Sequence, residues 1–256
     1  MGGLLSPGRV FGAVLVFPLV SLSALGVPAL QGQGGPPLET DDPGTPGNGR
    51  WELNLAGTLE HAAHRTLYEA PLADLNYGIG DRVQLKLEIP FLLARDGRTR
   101  TGLGNPLMGM KWRFLEDSST GSAVSTYPQL ELENSLLSPG GEPEESSLLL
   151  PLELATVWRG LGINAEAGFR VVRNSPGELI YGLALGLEAA SGTELLSECN
   201  GWTETNGPGS DLICQLGARR EIGEHHSLMA ALGTGILGDS DERTRFHMYV
   251  GLQSRW

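Results

Sequence analysis

Apolar and polar residues alternate along most of the chain beyond residue 50, and the last segment shows this pattern most clearly. In residues 244–256 one parity holds mainly apolar residues: Phe246, Met248, Val250, Leu252 and Trp256. The other parity is mostly polar and includes Arg245 and His247. Because successive side chains of a β-strand point to opposite faces, this segment is predicted to be a strand with one apolar and one polar side.

The same alternation predicts an all-β chain with an even number of strands and no helices between them. Segment 67–78 is less regular, because Glu69 shares a parity with Leu67. Either a bulge or a strand end beyond the bilayer would explain this. Segment 193–199 has the weakest pattern. The twelve predicted strands cover residues 51–60, 67–78, 82–93, 106–115, 123–136, 148–159, 163–172, 179–188, 193–199, 211–221, 227–237 and 244–256.

The lengths of the connections separate two ends of the predicted sheet. Tight or medium links fall at 78–81, 116–122, 160–162, 190–192 and 222–224. The links between them are mostly longer and more polar, at 60–66, 94–105, 137–147, 173–178, 199–210 and 238–243. Short turns at one rim and long loops at the other are typical of outer-membrane β-barrels. With twelve strands, both ends of an up-and-down barrel lie at the short-turn rim, which is periplasmic in such proteins.

Strand length distinguishes this barrel from a soluble β-sandwich, which could also alternate. The predicted strands of ten or more residues exceed the ~5–6 residues that are usual in globular proteins. They match the ~9–11 tilted residues that cross a bilayer. The sequence therefore predicts a transmembrane antiparallel up-and-down β-barrel over residues 50–256.

The N-terminal region has a composition of its own. Residues 1–9 carry one positive charge, residues 10–22 are apolar apart from Pro18, and small residues follow. This layout predicts a secretory signal peptide over residues 1–30, the alternative being an anchor helix. Residues 31–49 are rich in Gly and Pro, and we expect an extended periplasmic lead-in there.

Charge and composition narrow the possible partners. The formal net charge is -12 and Lys occurs only twice, so nucleic acid is not an expected partner. The 37 glycines and 16 prolines favour many turns, whereas an aromatic content of 6% is low for a membrane barrel. No apolar run after residue 30 reaches the ~20 residues of a spanning helix.

The C-terminal segment resembles a segment of a known class of proteins. Trp256 ends an alternating strand, and in this it resembles the closing strand of bacterial outer-membrane barrels. In those proteins the terminal aromatic residue is an assembly signal. The resemblance implies outer-membrane lipid and the barrel-assembly machinery as partners.

A second resemblance covers most of the chain after the signal peptide and is strongest over residues 39–116. Its motifs are Thr40–Pro43, Gly49–Glu52, Tyr68–Pro71 with Leu75–Arg82, and Gly104–Asn105 with Gly109–Phe114. They resemble a transporter-like outer-membrane barrel family that is loosely associated with the MetA pathway of phenol degradation. The resemblance implies an outer-membrane location and passage of small molecules, without naming a solute.

The polar parity of the strands defines the expected lumen. Neighbouring strands carry opposite charges, so these side chains either form salt-bridge ladders that hold the wall together or line a conducting path. The candidate lumen-lining residues are Lys86, Glu88, Lys111, Arg113, Glu131, Glu133, Glu153, Glu166, Arg170, Glu188, Arg219, Arg245 and His247.

These features predict a passive channel or transporter for small molecules, with no cofactor. The alternative is a structural or receptor-like barrel with a closed lumen. A lipid hydrolase is less favoured, because it needs a Ser and a His on neighbouring strands, oriented by a third polar group. The sequence shows no Ser–His pair at a convincing spacing, so we expect no catalytic residues.

Metal binding has two weak candidates in the sequence. His61 and His64 fall in a predicted loop, and His225 and His226 fall at a turn on the opposite rim. The acidic pair in Thr40–Pro43 lacks the spacing of a calcium loop and favours turn chemistry. We therefore expect no metal site.

Cys199 and Cys214 are the only cysteines, and they are placed symmetrically about Asn206 and Gly207. An Asn-Gly pair favours a hairpin turn, although Pro208 weakens that argument. In an exported protein the two cysteines are expected to form a disulfide that ties loop 200–213, the alternative being two free thiols.

Overall fold

The computed structural model describes residues 34–95, 97, 99–134, 145–238 and 243–256, and the predicted signal peptide lies outside them. Within these ranges the secondary structure consists of β-strands, and no helix there is long and apolar enough to cross a membrane. The strands are β1 (Trp51–His61), β2 (Thr66–Ile79), β3 (Val83–Arg95), β4 (Thr99–Leu103), β5 (Leu107–Asp117), β6 (Ser122–Thr126), β7 (Gln129–Glu131), β8 (Ser147–Trp158), β9 (Leu161–Val172), β10 (Glu178–Ala190), β11 (Thr193–Glu204), β12 (Ser210–Glu221), β13 (His226–Gly238) and β14 (Phe246–Arg255).

Antiparallel neighbours pair all the way round, and the first strand meets the last. The pairing of β1 with β14 runs from Glu52 opposite Arg255 to His61 opposite Phe246. β4 and β5 together make one barrel strand, and so do β6 and β7, which gives the predicted closed barrel of twelve. Closure matters because it leaves no unpaired strand edge to face lipid.

Three strands depart from the boundaries that the sequence predicts. The predicted loop 94–105 contains β4, which extends a hairpin with β3. The predicted strand 123–136 is divided by Tyr127 and Pro128, since Pro cannot donate to the ladder. The weak segment 193–199 is part of a strand of twelve residues that continues to Glu204. Of the two explanations for segment 67–78, the bulge is confirmed by a register shift between Glu69 and Leu72.

The two rims of the barrel differ in the way that the sequence predicts. At the short-turn rim lie the starts of β1 and β3, the ends of β2 and β14, and the links at 80–82, 118–121, 159–160, 191–192 and 222–225. At the long-loop rim lie the links at 62–65, 173–177 and 205–209, together with the described residues 97, 132–134, 145–146 and 243–245 of three further links. Both ends of the barrel domain therefore lie at the short-turn rim; its periplasmic location stays a prediction.

The outer surface of the barrel is apolar. Large aliphatic side chains on this surface include Leu85, Leu152 and Leu183, all exposed. Aromatic residues gather near the short-turn rim, where Trp51 and Tyr77 have ring centroids 4.5 Å apart and Trp112 packs against Phe114. An apolar band edged by aromatic side chains is the surface that a bilayer and its interface solvate.

The inner surface is mostly polar, with two small apolar clusters. One consists of Ala56, Met229, Ala231 and Tyr249. The other consists of Leu38, Ala184 and Leu196, and Leu38 precedes the first strand. A residue from the N-terminal region is therefore part of the interior of the barrel.

Candidate functional site: the lumen and its internal segment

The barrel encloses part of its own N-terminal region. Residues 34–42, named here the lumen segment, contact inward-facing side chains of β5, β9, β11 and β12. Residues 43–50 then lead back to the short-turn rim, where Thr45 Oγ1 donates to the Asp81 carbonyl. Within the predicted lead-in 31–49, residues 34–42 lie in the lumen, where their backbone bonds charged side chains. The periplasmic character of the lead-in stays a prediction.

Two glutamates bind consecutive backbone amides of the lumen segment. Glu198 of β11 accepts hydrogen bonds from the amides of Glu39 and Thr40, both at 2.8 Å. Glu166 of β9 accepts one from the amide of Asp41 at 3.1 Å. These bonds satisfy donors that no strand partner reaches, and an ionised acceptor makes each of them stronger than a bond between neutral groups.

Lys111 of β5 holds the acidic end of the lumen segment. Its Nζ atom lies 2.8 Å from Asp41 Oδ1 and also donates to the Asp42 carbonyl. Glu153 lies 3.6 Å away, and the Lys111 ammonium stands 4.6 Å from the centre of the Tyr127 ring. Enclosure in the lumen would raise the pKa of Asp41, but the charge and hydrogen bond of Lys111 hold that pKa below the ordinary aspartate value.

Arg219 of β12 binds the opposite end of the lumen segment. Its guanidinium donates to the carbonyls of Gly34 and Pro36 at 3.3 and 2.7 Å, and to Glu194 at 2.8 Å. Lys111 and Arg219 therefore bind the two ends of the segment, while Glu166 and Glu198 bind the amides between them.

Glycines in the wall make room for the lumen segment. A Cβ atom added at Gly182 of β10 would lie 2.3 Å from Thr40 Oγ1 and 3.2 Å from Thr40 Cβ. One added at Gly78 would lie 1.9 Å from the Gly47 carbonyl oxygen, where the chain returns to β1. Glycine in a strand often marks a close approach of another backbone, and here that backbone is the chain's own N-terminal region.

A second polar network covers the wall formed by β1, β2, β3 and β14. Gln253 donates to Asn54 at 3.0 Å, and Asn54 donates to Asp74 at 3.0 Å. Asn76 also donates to Asp74, and Gln84 donates to Asn76 at 2.7 Å. These side chains are buried, and their mutual bonds offset the loss of water.

Ion pairs form in the lumen both within a strand and between neighbouring strands. Lys86 lies 2.8 Å from Glu88 and 3.7 Å from Asp74 on the next strand. Arg170 and Glu178 are 2.9 Å apart across β9 and β10. Together with the pair of Arg219 and Glu194, they form salt bridges across the wall, one of the two roles predicted for these charges.

A cavity of about 250 Å³ opens at the long-loop rim. Glu131 accepts a hydrogen bond from Ser147 at 3.2 Å at this cavity, and the pair of Arg170 and Glu178 forms another part of its wall. Its lining residues are Glu131, Glu145, Ser147, Arg170, Val172, Ser175 and Glu178.

Most of the remaining predicted lumen residues lie near the two rims, and one is buried in the lumen. Arg113 donates to the Asp81 carbonyl at the short-turn rim, and Glu133 lies 4.0 Å from Arg173 at the other rim. Arg245 precedes β14 and is exposed, and Glu188 is exposed near the end of β10. His247 is buried, with its Nδ1 atom 3.1 Å from Gln215 Oε1.

One histidine has a serine partner that the sequence spacing does not indicate. His226 Nδ1 lies 3.0 Å from Ser254 Oγ, on neighbouring strands at the short-turn rim. The described contacts of His226 include no third polar group that would orient the ring, as a hydrolytic triad requires. His61, at the other rim, bonds Thr66, and no group of three or more metal-binding side chains occurs among the described residues.

The two cysteines are joined, but not across a loop. Cys199 and Cys214 are directly opposite residues of β11 and β12, with a Cα–Cα distance of 4.1 Å and a disulfide between them. Their neighbours Glu198 and Gln215 are buried in the lumen, so the disulfide lies on the outer face. The connecting loop is shorter than expected and covers residues 205–209.

Sequence reasoning misses Glu198 and Gln215, although they are central to the interior. Glu198 also accepts from Gln215 and from Asn200, so it bonds both the lumen segment and the wall. The available signal was the alternation of Leu195, Ser197 and Cys199 with Glu194 and Glu198. A predicted strand end at residue 199 concealed that signal.

Comparison with solved structures places this fold among outer-membrane barrels. The COG4313 outer-membrane channel from Pseudomonas putida F1 is similar with a TM-score of 0.63 and 11% identity, over 84% of this chain and 98% of that one. The NanC porin is similar with a TM-score of 0.58 and 6% identity, over 79% and 98%. The KdgM porin, solved with a disordered oligogalacturonate, gives 0.56 and 9% over the same shares.

No protein-family model and no curated protein matches the sequence. The structural likenesses, all at low identity, show that the chain has the fold of outer-membrane porin-like barrels. A fold of this kind hosts several functions, so the side chains of the lumen, and not the fold, indicate the function. These likenesses do not bear on the link to phenol degradation, which stays a prediction.

Proposed function

We propose that the protein is a channel of the bacterial outer membrane for small polar solutes. The observation that carries this proposal is the contrast between the two faces of a closed barrel. The outer face is an apolar band, whereas charged and amide side chains follow the inner face from Arg113 near one rim to Glu131 near the other. Such an interior is suited to water and hydrated solutes, and the porin-like fold supports the same reading.

The location and topology follow from this proposal. The short-turn rim faces the periplasm, where a signal peptide at residues 1–30 delivers the chain and the barrel-assembly machinery inserts it. The long-loop rim, with its cavity of about 250 Å³, faces the outside and receives the solute. No cofactor or catalytic group takes part in passage through the lumen.

The charges of the lumen favour cations over anions. Among the described residues, the carboxylates bonded in the lumen outnumber the cations bonded there, which include Lys86, Lys111, Arg170 and Arg219. These carboxylates include Asp41, Asp42, Asp74, Glu88, Glu153, Glu166, Glu178, Glu194 and Glu198. Fixed charge in a narrow path sets ion selectivity, because it attracts counter-ions and repels ions of its own sign. We therefore expect a preference for K⁺ over Cl⁻.

Conductance of the purified protein in a planar bilayer tests this function. Discrete current steps and a reversal potential on the cation side are expected in a KCl gradient. Neutralising Glu131 or Glu133 should lower the cation preference, and neutralising Lys111 or Arg113 should raise it. Glu224→Gln is the control, since Glu224 is exposed in a short turn outside the lumen.

A closed-lumen barrel is the competing function, and the lumen segment is the observation that favours it. A protein that inserts into the bilayer but gives no current steps, with or without its lumen segment, would support that alternative. Steps that do not respond to any of the four substitutions would place the conducting path elsewhere.

A further inference from the structure

We infer that the lumen segment, residues 34–42, is a gate that leaves its wall site to widen the conducting path. The inference rests on the proposed channel function. Three observations carry it: the segment is outside the β-ladder, it is held by a small set of side chains, and it has a connection long enough to let it move.

The lumen segment does not contribute to the hydrogen bonds that hold the barrel together. The barrel ladder begins at β1, and the segment's own backbone bonds are local, from Gly35 to the Thr40 carbonyl and from Leu38 to the Gly35 carbonyl. Its departure would therefore leave every strand pair in place. A strand of the wall, by contrast, could not leave without exposing unpaired backbone groups to lipid.

The connection to β1 is long enough for this movement. Residues 43–50, PGTPGNGR, contain no regular secondary structure and return along the short-turn rim. Gly49 and Arg50 already bond Gly78 of β2. The six residues before them can extend to about 20 Å, which is most of the ~25 Å height of the apolar band of such a barrel. The segment can accordingly leave the lumen at the short-turn rim while β1 stays fixed.

The attachment of the segment to the wall depends mainly on charge. Glu198 and Glu166 bind its backbone amides, Lys111 binds Asp41, and Arg219 binds two of its carbonyls. The apolar contacts are fewer: Leu38 packs with Ala184 and Leu196, and Pro37 is buried beside Gly217 of β12. Removing one charged partner should therefore shift the balance toward the open position, because little apolar contact remains to hold the segment.

The fit of Thr40 against Gly182 gives a way to open the gate without changing any charge. The added Cβ atom of Gly182→Ala would lie 2.3 Å from Thr40 Oγ1 and 3.2 Å from both Thr40 Cβ and Cγ2. Rotation of Thr40 relieves only the first contact, so the substitution weakens the fit of the segment against β10. Gly57→Ala is the matched control, because its added Cβ atom would meet only ordinary contacts at 3.8 Å. Glu198→Gln is a second opening variant and acts on the amides instead.

The same contact gives a way to lock the gate. The added Cβ atom at position 182 lies 3.2 Å from Thr40 Cβ, slightly below the usual 3.5–4.5 Å of a disulfide but within reach after a small shift. The double variant Thr40→Cys/Gly182→Cys should therefore link the segment to β10. Wild-type protein with the same oxidant and reductant controls for the native disulfide on the outer face.

Single-channel conductance of the full chain, with heat-modifiable mobility as the check on folding, tests the gate. We expect Gly182→Ala and Glu198→Gln to raise the conductance or the open fraction by roughly twofold or more, and Gly57→Ala to leave both unchanged. The oxidised double-cysteine variant should stay in the low-conductance state and open when reduced.

The outcomes separate this inference from the proposed function. If wild-type protein conducts and folded Gly182→Ala, Glu198→Gln and the locked variant conduct in the same way, the gate is wrong and the channel stands. If no variant conducts, including one that lacks residues 34–42, both the channel and the gate are wrong.

Discussion

Trp51 and Trp256 exchange backbone hydrogen bonds across the seam of the barrel. The amide of Trp51 donates to the carbonyl of Trp256 at 2.9 Å, and the amide of Trp256 donates back at 3.1 Å. The last residue of the chain thus closes the ladder between β1 and β14 at the short-turn rim. The Trp256 side chain stays free for another contact, because it is 57% exposed.

Two variants distinguish the contribution of the Trp256 ring to assembly from that of its backbone. Deleting Trp256 removes both backbone bonds and the ring, whereas Trp256→Ala removes only the ring. If the ring is the assembly signal, both variants should reduce the folded protein in the outer membrane to a similar extent, with unchanged synthesis. Trp256→Phe should retain assembly. Heat-modifiable mobility of membrane fractions measures the folded share. Normal insertion of Trp256→Ala would show that the ring is not the assembly signal.

The disulfide should support stability without affecting conduction. Cys199→Ser/Cys214→Ser removes a link that lies on the outer face and closes a separation of 15 residues. A loop of this size predicts a loss of about 2–4 kcal/mol in the free energy of unfolding. Urea titration in lipid vesicles should show a lower midpoint, while single-channel conductance stays the same. A changed ion preference would contradict the outward position of the cysteines.

The pair of Lys111 and Asp41 should show energetic coupling. Lys111→Met leaves Asp41 and Glu153 in the lumen without their cation, so we expect a loss of roughly 3–5 kcal/mol, as for other broken buried pairs. Asp41→Asn in the same chain should recover part of that loss. A double-mutant cycle on urea midpoints measures the coupling. Purely additive effects would show that Asp41 and Lys111 do not interact.

The outer face of β8 should tolerate charge according to depth. Leu152 lies in the middle of this strand and is 53% exposed, whereas Leu148 lies near the long-loop end. Leu152→Arg should cost about 2–4 kcal/mol in the free energy of folding into a bilayer, and Leu148→Arg about 0–1 kcal/mol. Equal costs at the two positions would contradict the placement of the apolar band.

Pattern alone predicted the barrel because side-chain alternation is a local property of strands. Glu153 and Leu152, adjacent in sequence, face the lumen and the outer side as the alternation in 148–159 predicts. The links also followed from local composition, since Gly80 and Gly160 adopt the positive φ that tight turns require. Strand number, rim asymmetry and the irregularity at Glu69 were all accessible without a structure.

Strand ends were less accessible, because their extent depends on a partner. Residues 200–204 look like part of a loop on their own, yet they pair with β10 and β12 and extend β11. The same extension turns Cys199 and Cys214 from the expected ends of a loop into opposite residues within a hairpin. Conversely, Pro128 interrupts a strand that the alternation alone continues.

The content of the lumen was decided only by the tertiary structure. Asp41 and Lys111 are 70 residues apart, and nothing in the spacing of either residue points to the other. The segment 34–42 has no periodic pattern, so its Gly/Pro-rich character and the Thr40–Pro43 motif gave no indication that it lies in the lumen. Its position depends on Glu166, Glu198, Lys111 and Arg219, which converge in one interior only when twelve strands close. Alternation thus determined the wall, whereas what the wall encloses depended on closure, because charges from distant strands meet there.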